Sequence, residues 1–152
     1  MGIEDCLNYC RINERITTSG SVVADTLATL GAAGYDVVIN LLPDESSYAV
    51  GGEAAIVAGQ GVGYVYIPVD FATPSHEDFE AFVSAMDASE GKTVHVHCAA
   101  NYRVSAFFSL YAMRKGWWSA PEADAHIGTI WNPPEFPAWQ DFIAAERARM
   151  VP

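Results

Sequence analysis

The residues best suited to chemistry stand in one stretch, His95-Val-His97-Cys98-Ala99-Ala100-Asn101-Tyr102-Arg103-Val-Ser105. A short alternating apolar run ends in a cysteine, and a loop of small residues leads to an arginine and an apolar helix. Backbone N–H groups at such a strand-to-helix turn have no partner inside the helix, so they converge as an anion cradle. A cysteine at the lip of that cradle would be stabilised as the nucleophilic thiolate. Arg103 would supply a bidentate fork for the oxygens of a tetrahedral anion. Ala99 and Ala100 are small enough to let backbone approach a ligand. Asn101 tolerates the left-handed conformation that glycine more usually supplies. Ala99, Ala100, Asn101, Tyr102 and Arg103 are therefore the expected anion-binding positions, with Cys98 as nucleophile. A buried structural cysteine at a strand end is the plain alternative.

The elements that must position this loop alternate between strand and helix. A short strand is predicted at 16–18. A helix over 22–33 follows, with Ser19 and Ser21 as caps and Gly31 and Gly34 near its end. Strands follow at 37–42 and 64–69, separated by a polar loop at 43–52 and a helix over 53–60. A loop at 70–74 leads to a helix over 75–89, opened by Ser75 and carrying Phe79, Phe82, Val83 and Met86 on one face. Then come a strand over 93–98, a helix over 103–115, and helices over 121–130 and 137–150 with proline in their first turns. This order predicts one α/β domain over residues 1–152. It would have three layers, with a central mostly parallel sheet of four to five strands flanked by helices. Ligands in such sheets bind at the carboxyl ends of the strands, which selects the turns after Leu42, Val69 and Val96.

Between Arg15 and Leu110 four pieces carry a resemblance: Ile16-Thr-Thr-Ser-Gly20, Gly34-Tyr-Asp-Val-Val-Ile-Asn-Leu41, Tyr66-Ile-Pro-Val69 and the cysteine loop. Together they resemble the protein-tyrosine-phosphatase superfamily. The likeness is nearest to its small bacterial branch, the beta-lactamase-hydrolase-like, phosphatase-like domains. The resemblance implies a dual-specificity-phosphatase-like fold and hydrolysis of phosphoric monoesters through a phosphocysteine. It also implies roles: Cys98 attacks phosphorus, Arg103 holds the phosphoryl oxygens, and Asp70, after the Ile-Pro-Val segment, protonates the leaving oxygen. Glu77 and Asp78, on the next helix, read instead as partners of its N-terminal dipole. In the wider superfamily five residues separate Cys from Arg, and Ser or Thr follows. Here only four separate Cys98 from Arg103. Either the loop is one residue shorter, or Asn101 and Ser105 keep the places of the usual Gly and Ser and the arginine has moved one position early. One position at a helix start is about 100° of rotation.

His97 points to the face opposite Cys98, so it is read as fixing the loop by a hydrogen bond and not as the proton acceptor. Ser105 either hydrogen-bonds the thiolate or satisfies the first helical turn. Tyr102 either rims the site or packs. His-x-His-Cys lacks the spacing of metal motifs, so no metal and no cofactor are expected. The four tryptophans are read as packing the carboxyl-terminal helices, with Trp131 in a segment that could wall a pocket.

The 152 residues carry 8 basic and 19 acidic side chains, a net charge of −11. Such a chain is not expected to bind nucleic acid or anionic membrane. No apolar run reaches the roughly 18 residues of a membrane span. Three cysteines, Cys6, Cys10 and Cys98, leave at least one free thiol and suggest a cytoplasmic, reducing setting. Charge is uneven: residues 91–118 hold 4 basic and no acidic side chains, and residues 41–90 hold 9 acidic and no basic ones. The expected partner is a small phosphate-containing or otherwise anionic substrate. Three readings stay open: a cysteine-dependent phosphatase, a rhodanese-like sulfurtransferase carrying a Cys98 persulfide, and a non-catalytic anion-binding domain.

Overall fold

A computed structural model describes residues 2–150. Its five strands lie in the order β1-β2-β5-β3-β4. They are β1 (Cys10–Arg11), β2 (Ile16–Ser19), β3 (Val37–Asn40), β4 (Gly63–Tyr66) and β5 (Val94–His97). All neighbours pair in parallel except β1, which runs antiparallel to β2. The most buried strand, β5, is central, and the loop after it emerges at the middle of the sheet edge.

Helices cover both faces. α1 (Ala24–Leu27) and α2 (Glu53–Ala58) lie on one side; α3 (His76–Ala88), α4 (Tyr102–Arg114), α5 (Ala120–Gly128) and α6 (Pro137–Met150) lie on the other. Strand alternation decides the partition. Val37, Ile39, Val94 and Val96 enter the larger core with α3, α4 and α6, whereas Val38 joins Leu27, Leu30 and Val57 in the smaller one. Cys98 continues the Val94–Val96 face and belongs to the larger core. The sheet and its two helical layers match the predicted three-layer α/β architecture.

Several boundaries moved. The helix expected over 22–33 is regular only over Ala24–Leu27, and its N-cap is Val23 with no side-chain cap. Beyond it Thr29 turns its hydroxyl onto the Thr26 carbonyl and Gly34 takes a φ of 95°, so the chain winds on as turns. Ser19 lies in β2, and Ser21 stands two residues before the N-cap, its backbone N–H on the Ala99 carbonyl. The strand expected over 64–69 stops at Tyr66, although Ile67 and Val69 still donate to the carbonyls of Asn40 and Leu41. By contrast, α3 begins where Ser75 accepts from the Asp78 amide, and Phe79, Phe82, Val83 and Met86 are its buried face, as predicted. In α4 every residue from Val104 to Ala112 is buried, so this helix forms the floor beneath the loop.

Candidate active site

The loop after β5 has two unlike sides. On the front, the backbone N–H groups of Ala99, Ala100, Asn101, Tyr102 and Arg103 have no hydrogen-bond partner among the described residues. These amides belong to the loop and the first turn of the 13-residue α4. They therefore combine open donors with the positive end of a helix dipole. On the rear, the Ala99 carbonyl accepts from Ser21 N–H at 2.9 Å. The Ala100 carbonyl accepts from Asn8 Nδ2, also at 2.9 Å. Gly20 is pressed against this side: a Cβ there would lie 2.5 Å from the Ala99 carbonyl oxygen. Only glycine fits that approach. Asn101 is left-handed, with φ 68°, which turns the chain from β5 into α4.

Cys98 is fully buried, and its N–H reaches the Ser19 carbonyl at 3.4 Å. Arg103 crosses from α4 to the segment after β4. Its Nε donates to the Val69 carbonyl at 2.8 Å, and its guanidinium lies 5.2 Å from the centre of the Phe71 ring. With Nε engaged, the terminal nitrogens remain to meet an anion. Asp70 is exposed; its carboxylate accepts from the Ala72 amide at 2.9 Å, and its carbonyl from the Thr73 amide. Arg103 and Asp70 share the wall of one cavity of about 510 Å3 with Pro43, Glu45, Ser46, Pro68 and Phe71. The structure thus brings Arg103 and Asp70 to one cavity, whose lining does not include the fully buried Cys98. Glu45 is a second carboxylate in that cavity which sequence reasoning missed; the polar loop after Leu42 was its only signal.

Other expected roles resolve differently. Ser105 is buried, donates to the Tyr102 carbonyl and accepts from Trp131 Nε1 at 2.9 Å. Its hydroxyl serves the first turn of α4, the second of its two expected roles. Tyr102 stacks on Trp131 with ring centres 4.7 Å apart, so its side chain packs and its amide faces the cradle. Trp131 thereby supports α4, and with Asn132, Pro133 and Pro134 it also walls a separate cavity of about 420 Å3, as the sequence suggested. His97 does not fix the loop. Its Nε2 pairs with Glu53 Oε2 at 2.6 Å, both groups being buried beneath α2. The ring reached the opposite face of the sheet, as strand alternation requires, and Glu53 was waiting there.

His95, on that same face, bridges Thr17 Oγ1 and Ser19 Oγ. Burial first, and the neighbouring His97 ring second, push its pKa well below the usual histidine value, so the ring is neutral. Ser19 donates to the Gly20 carbonyl, so Nε2–H is the natural donor to Ser19 and Nδ1 the acceptor from Thr17. This chain of bonds fastens the end of β2 just before Gly20. Cys6 and Cys10 are free, half-buried thiols, each with its pKa pushed up chiefly by burial. Of the other three cations within residues 91–118, Arg114 pairs with Glu80 and Lys115 with Asp87. Lys92 lines a separate cavity at the amino ends of the strands.

Comparison with known proteins gives the fold and the family. A DUF442 protein of Shewanella putrefaciens CN-32 has 40% sequence identity, with a TM-score of 0.87 over 95% of this chain and 91% of that one. Tk-PTP in its active form (22% identity, TM-score 0.75, covering 93% and 97%) shares the fold. So does Pseudomonas aeruginosa TpbA (16%, 0.71, covering 95% and 91%). The beta-lactamase hydrolase-like protein of Xylella fastidiosa is 32% identical over 117 residues, 75% of this chain. The chain spans about a quarter of that relative's length, 27%. The profile of the phosphatase-like domain of beta-lactamase hydrolase-like proteins matches residues 8–114, from the rear support of the loop to the last turn of α4, and the chain belongs to that family.

Proposed function

We propose that this domain is a cysteine-dependent phosphatase acting on small phosphoric monoesters. The observation that carries the reading is the row of five unpartnered amides, from Ala99 to Arg103, beside Cys98. TpbA has been solved in complex with pTyr, which makes a phosphoryl group the natural occupant of such a cradle. In the reaction Cys98 Sγ attacks phosphorus while the bond to the leaving oxygen breaks. Asp70, in its acid form, gives that oxygen its proton. The loop amides and Arg103 hold the three equatorial oxygens over which the transition-state charge is spread. Water then attacks the phosphocysteine, Asp70 takes a proton from it, and the S–P bond breaks to release inorganic phosphate and regenerate the thiolate.

Glu45 competes with Asp70 for the acid role. Asp70 is favoured because it adjoins Val69, the residue that Arg103 grips, so acid and phosphoryl ligand are fixed to each other. The cavity holds one arginine and two carboxylates, Glu45 and Asp70. That balance, with the net −11, favours small or weakly charged substrates over polyanions. The complete burial of Cys98 favours a second reading, an anion-binding domain without turnover. Assays with an aryl phosphate and with thiosulfate plus cyanide, beside Cys98→Ser, separate the cases. Phosphate release that depends on Cys98 supports the phosphatase. Thiocyanate formation identifies a sulfurtransferase. Silence in both, with phosphate still bound, identifies the anion-binding domain.

A further inference from the structure

Among the described residues, Asn8 and Asn101 are the two non-glycine positions with positive φ, 53° and 68°. They clasp each other behind the cysteine loop. Asn8 Nδ2 donates to the Ala100 carbonyl at 2.9 Å. Asn101 Nδ2 donates back to the Asn8 carbonyl at 2.8 Å and to Thr18 Oγ1 at 3.1 Å. Thr18 Oγ1 in turn bonds the Cys10 carbonyl, and Gly20 N–H bonds the Leu7 carbonyl. Residues 7–10 therefore form a hook seated on the rear of the loop. Asparagine is among the few side chains that enter the left-handed region readily, and here both members need that conformation to meet.

The consequence for the front follows from peptide geometry. In a trans peptide the C=O and the N–H of one unit point in opposite directions. A carbonyl tied at the rear therefore aims the N–H of the same unit forward. Ser21 ties the Ala99 carbonyl and so aims the Ala100 amide. Asn8 ties the Ala100 carbonyl and so aims the Asn101 amide. Ser21 acts through its backbone, which any residue supplies. Asn8 acts through its side chain, which sequence can remove.

We propose that Asn8 is a positioning residue of the anion loop, holding the Ala100 carbonyl at the rear so that the Asn101 amide faces the bound anion. This rests on the phosphatase reading for the identity of the anion. Removing the side chain frees one peptide unit to rotate. The cradle then loses one preorganised donor, while Cys98 and Arg103 stay in place.

Two variants isolate the effect. Asn8→Gly keeps the positive φ and leaves the residue 8 carbonyl available to Asn101, but deletes the donor. Asn8→Asp keeps the shape and sets an acceptor against the Ala100 carbonyl. Calorimetric titration with inorganic phosphate measures the cradle without turnover, and hydrolysis of an aryl phosphate measures it with turnover. In Asn8→Gly the phosphate dissociation constant should rise by about five- to tenfold, and in Asn8→Asp at least as far. The drop in kcat/KM should match. Variants that melt earlier but keep wild-type phosphate affinity and kcat/KM overturn the proposal, since Asn8 is then only a turn residue. A wild-type protein that binds phosphate without hydrolysing esters sinks the phosphatase reading alone, and the affinity ratio still decides on Asn8. A wild-type protein that takes up no phosphate contradicts both.

Discussion

Two loops at the carboxyl edge of the sheet carry the candidate site, and they are anchored in different ways. The Cys98 loop is fixed by directional bonds to its own carbonyls, from Ser21 and Asn8, and by the close approach of Gly20. The Asp70 loop adds a cluster of aromatic rings to the hydrogen bonds that Arg103 and Trp139 make to its carbonyls. Phe71 sits among Tyr102, Trp131, Phe136 and Trp139, with Trp139 Nε1 donating to the Phe71 carbonyl at 2.7 Å. Hydrogen bonds specify orientation, whereas apolar contact specifies proximity. On the proposed reading, the loop that presents amides to a tetrahedral anion relies on the first, and the loop that delivers one proton leans more on the second. Arg103 reaches from the Cys98 loop to the Asp70 loop through Val69 and Phe71, and the Tyr102 ring meets Phe71 beside it.

The sharpest way to break the comparison is to remove its chemical centre. Cys98→Ser should lower phosphate release by a thousandfold or more, on the order seen when covalent catalysis is lost. Arg103→Lys, which cannot grip Val69 and hold an anion bidentately together, should cost about a hundredfold in kcat/KM. Asp70→Asn should cost about a hundredfold with a poor alkyl leaving group and much less with a good aryl one, because only the former needs the proton. If Glu45→Gln shows that leaving-group dependence and Asp70→Asn does not, the acid is Glu45. Gly20→Ala should strike the directional loop: the new methyl cannot fit against the Ala99 carbonyl. A loss of about 1–3 kcal/mol in stability should accompany weaker phosphate binding. Trp139→Phe should strike the packed loop less severely. It costs about 1 kcal/mol by urea melt and lowers kcat severalfold, with phosphate affinity unchanged.

The pH dependence of stability adds a weaker test. His95 is neutral in the fold, with its pKa depressed by burial. The unfolded chain takes up the proton first, so stability is full above about pH 6.5 and falls as pH drops below it. The slope approaches ~1.4 kcal/mol per pH unit for this one group. Glu80 and Asp87 are depressed by hydrogen bonds to Arg114 and Tyr111 respectively. Their contribution is lost only at more acid pH, below the carboxylate range. A melting temperature flat from pH 7 to 5 would show that His95 is not buried neutral.

The strands, the central helix and the loop were legible because their signals are local. Apolar runs end at Gly, Pro or Asn, and Cys98 and Arg103 stand across a strand-to-helix turn. What was not legible depends on contacts far apart in the chain. Asn8 meets Ala100 across 92 residues, and His97 meets Glu53 across 44. Neither residue has a periodicity that announces its partner. β1 is two residues long, too short for any pattern, yet its pairing with β2 at Thr18 brings the hook of residues 7–10 to the loop. Ser105 was ambiguous for a different reason: the indole that takes its lone pair lies 26 residues on, past α5.

The central claim is that Cys98 becomes phosphorylated while the loop amides hold the transferred group. Rapid acid quench of wild-type protein during aryl phosphate turnover, followed by peptide mass spectrometry, reads this directly. The account predicts a phosphoryl adduct on the peptide carrying Cys98, absent in Cys98→Ser and more abundant in a variant slowed at Asp70. Steady release of phosphate with no adduct on Cys98, or with the adduct on Cys6 or Cys10, would contradict it.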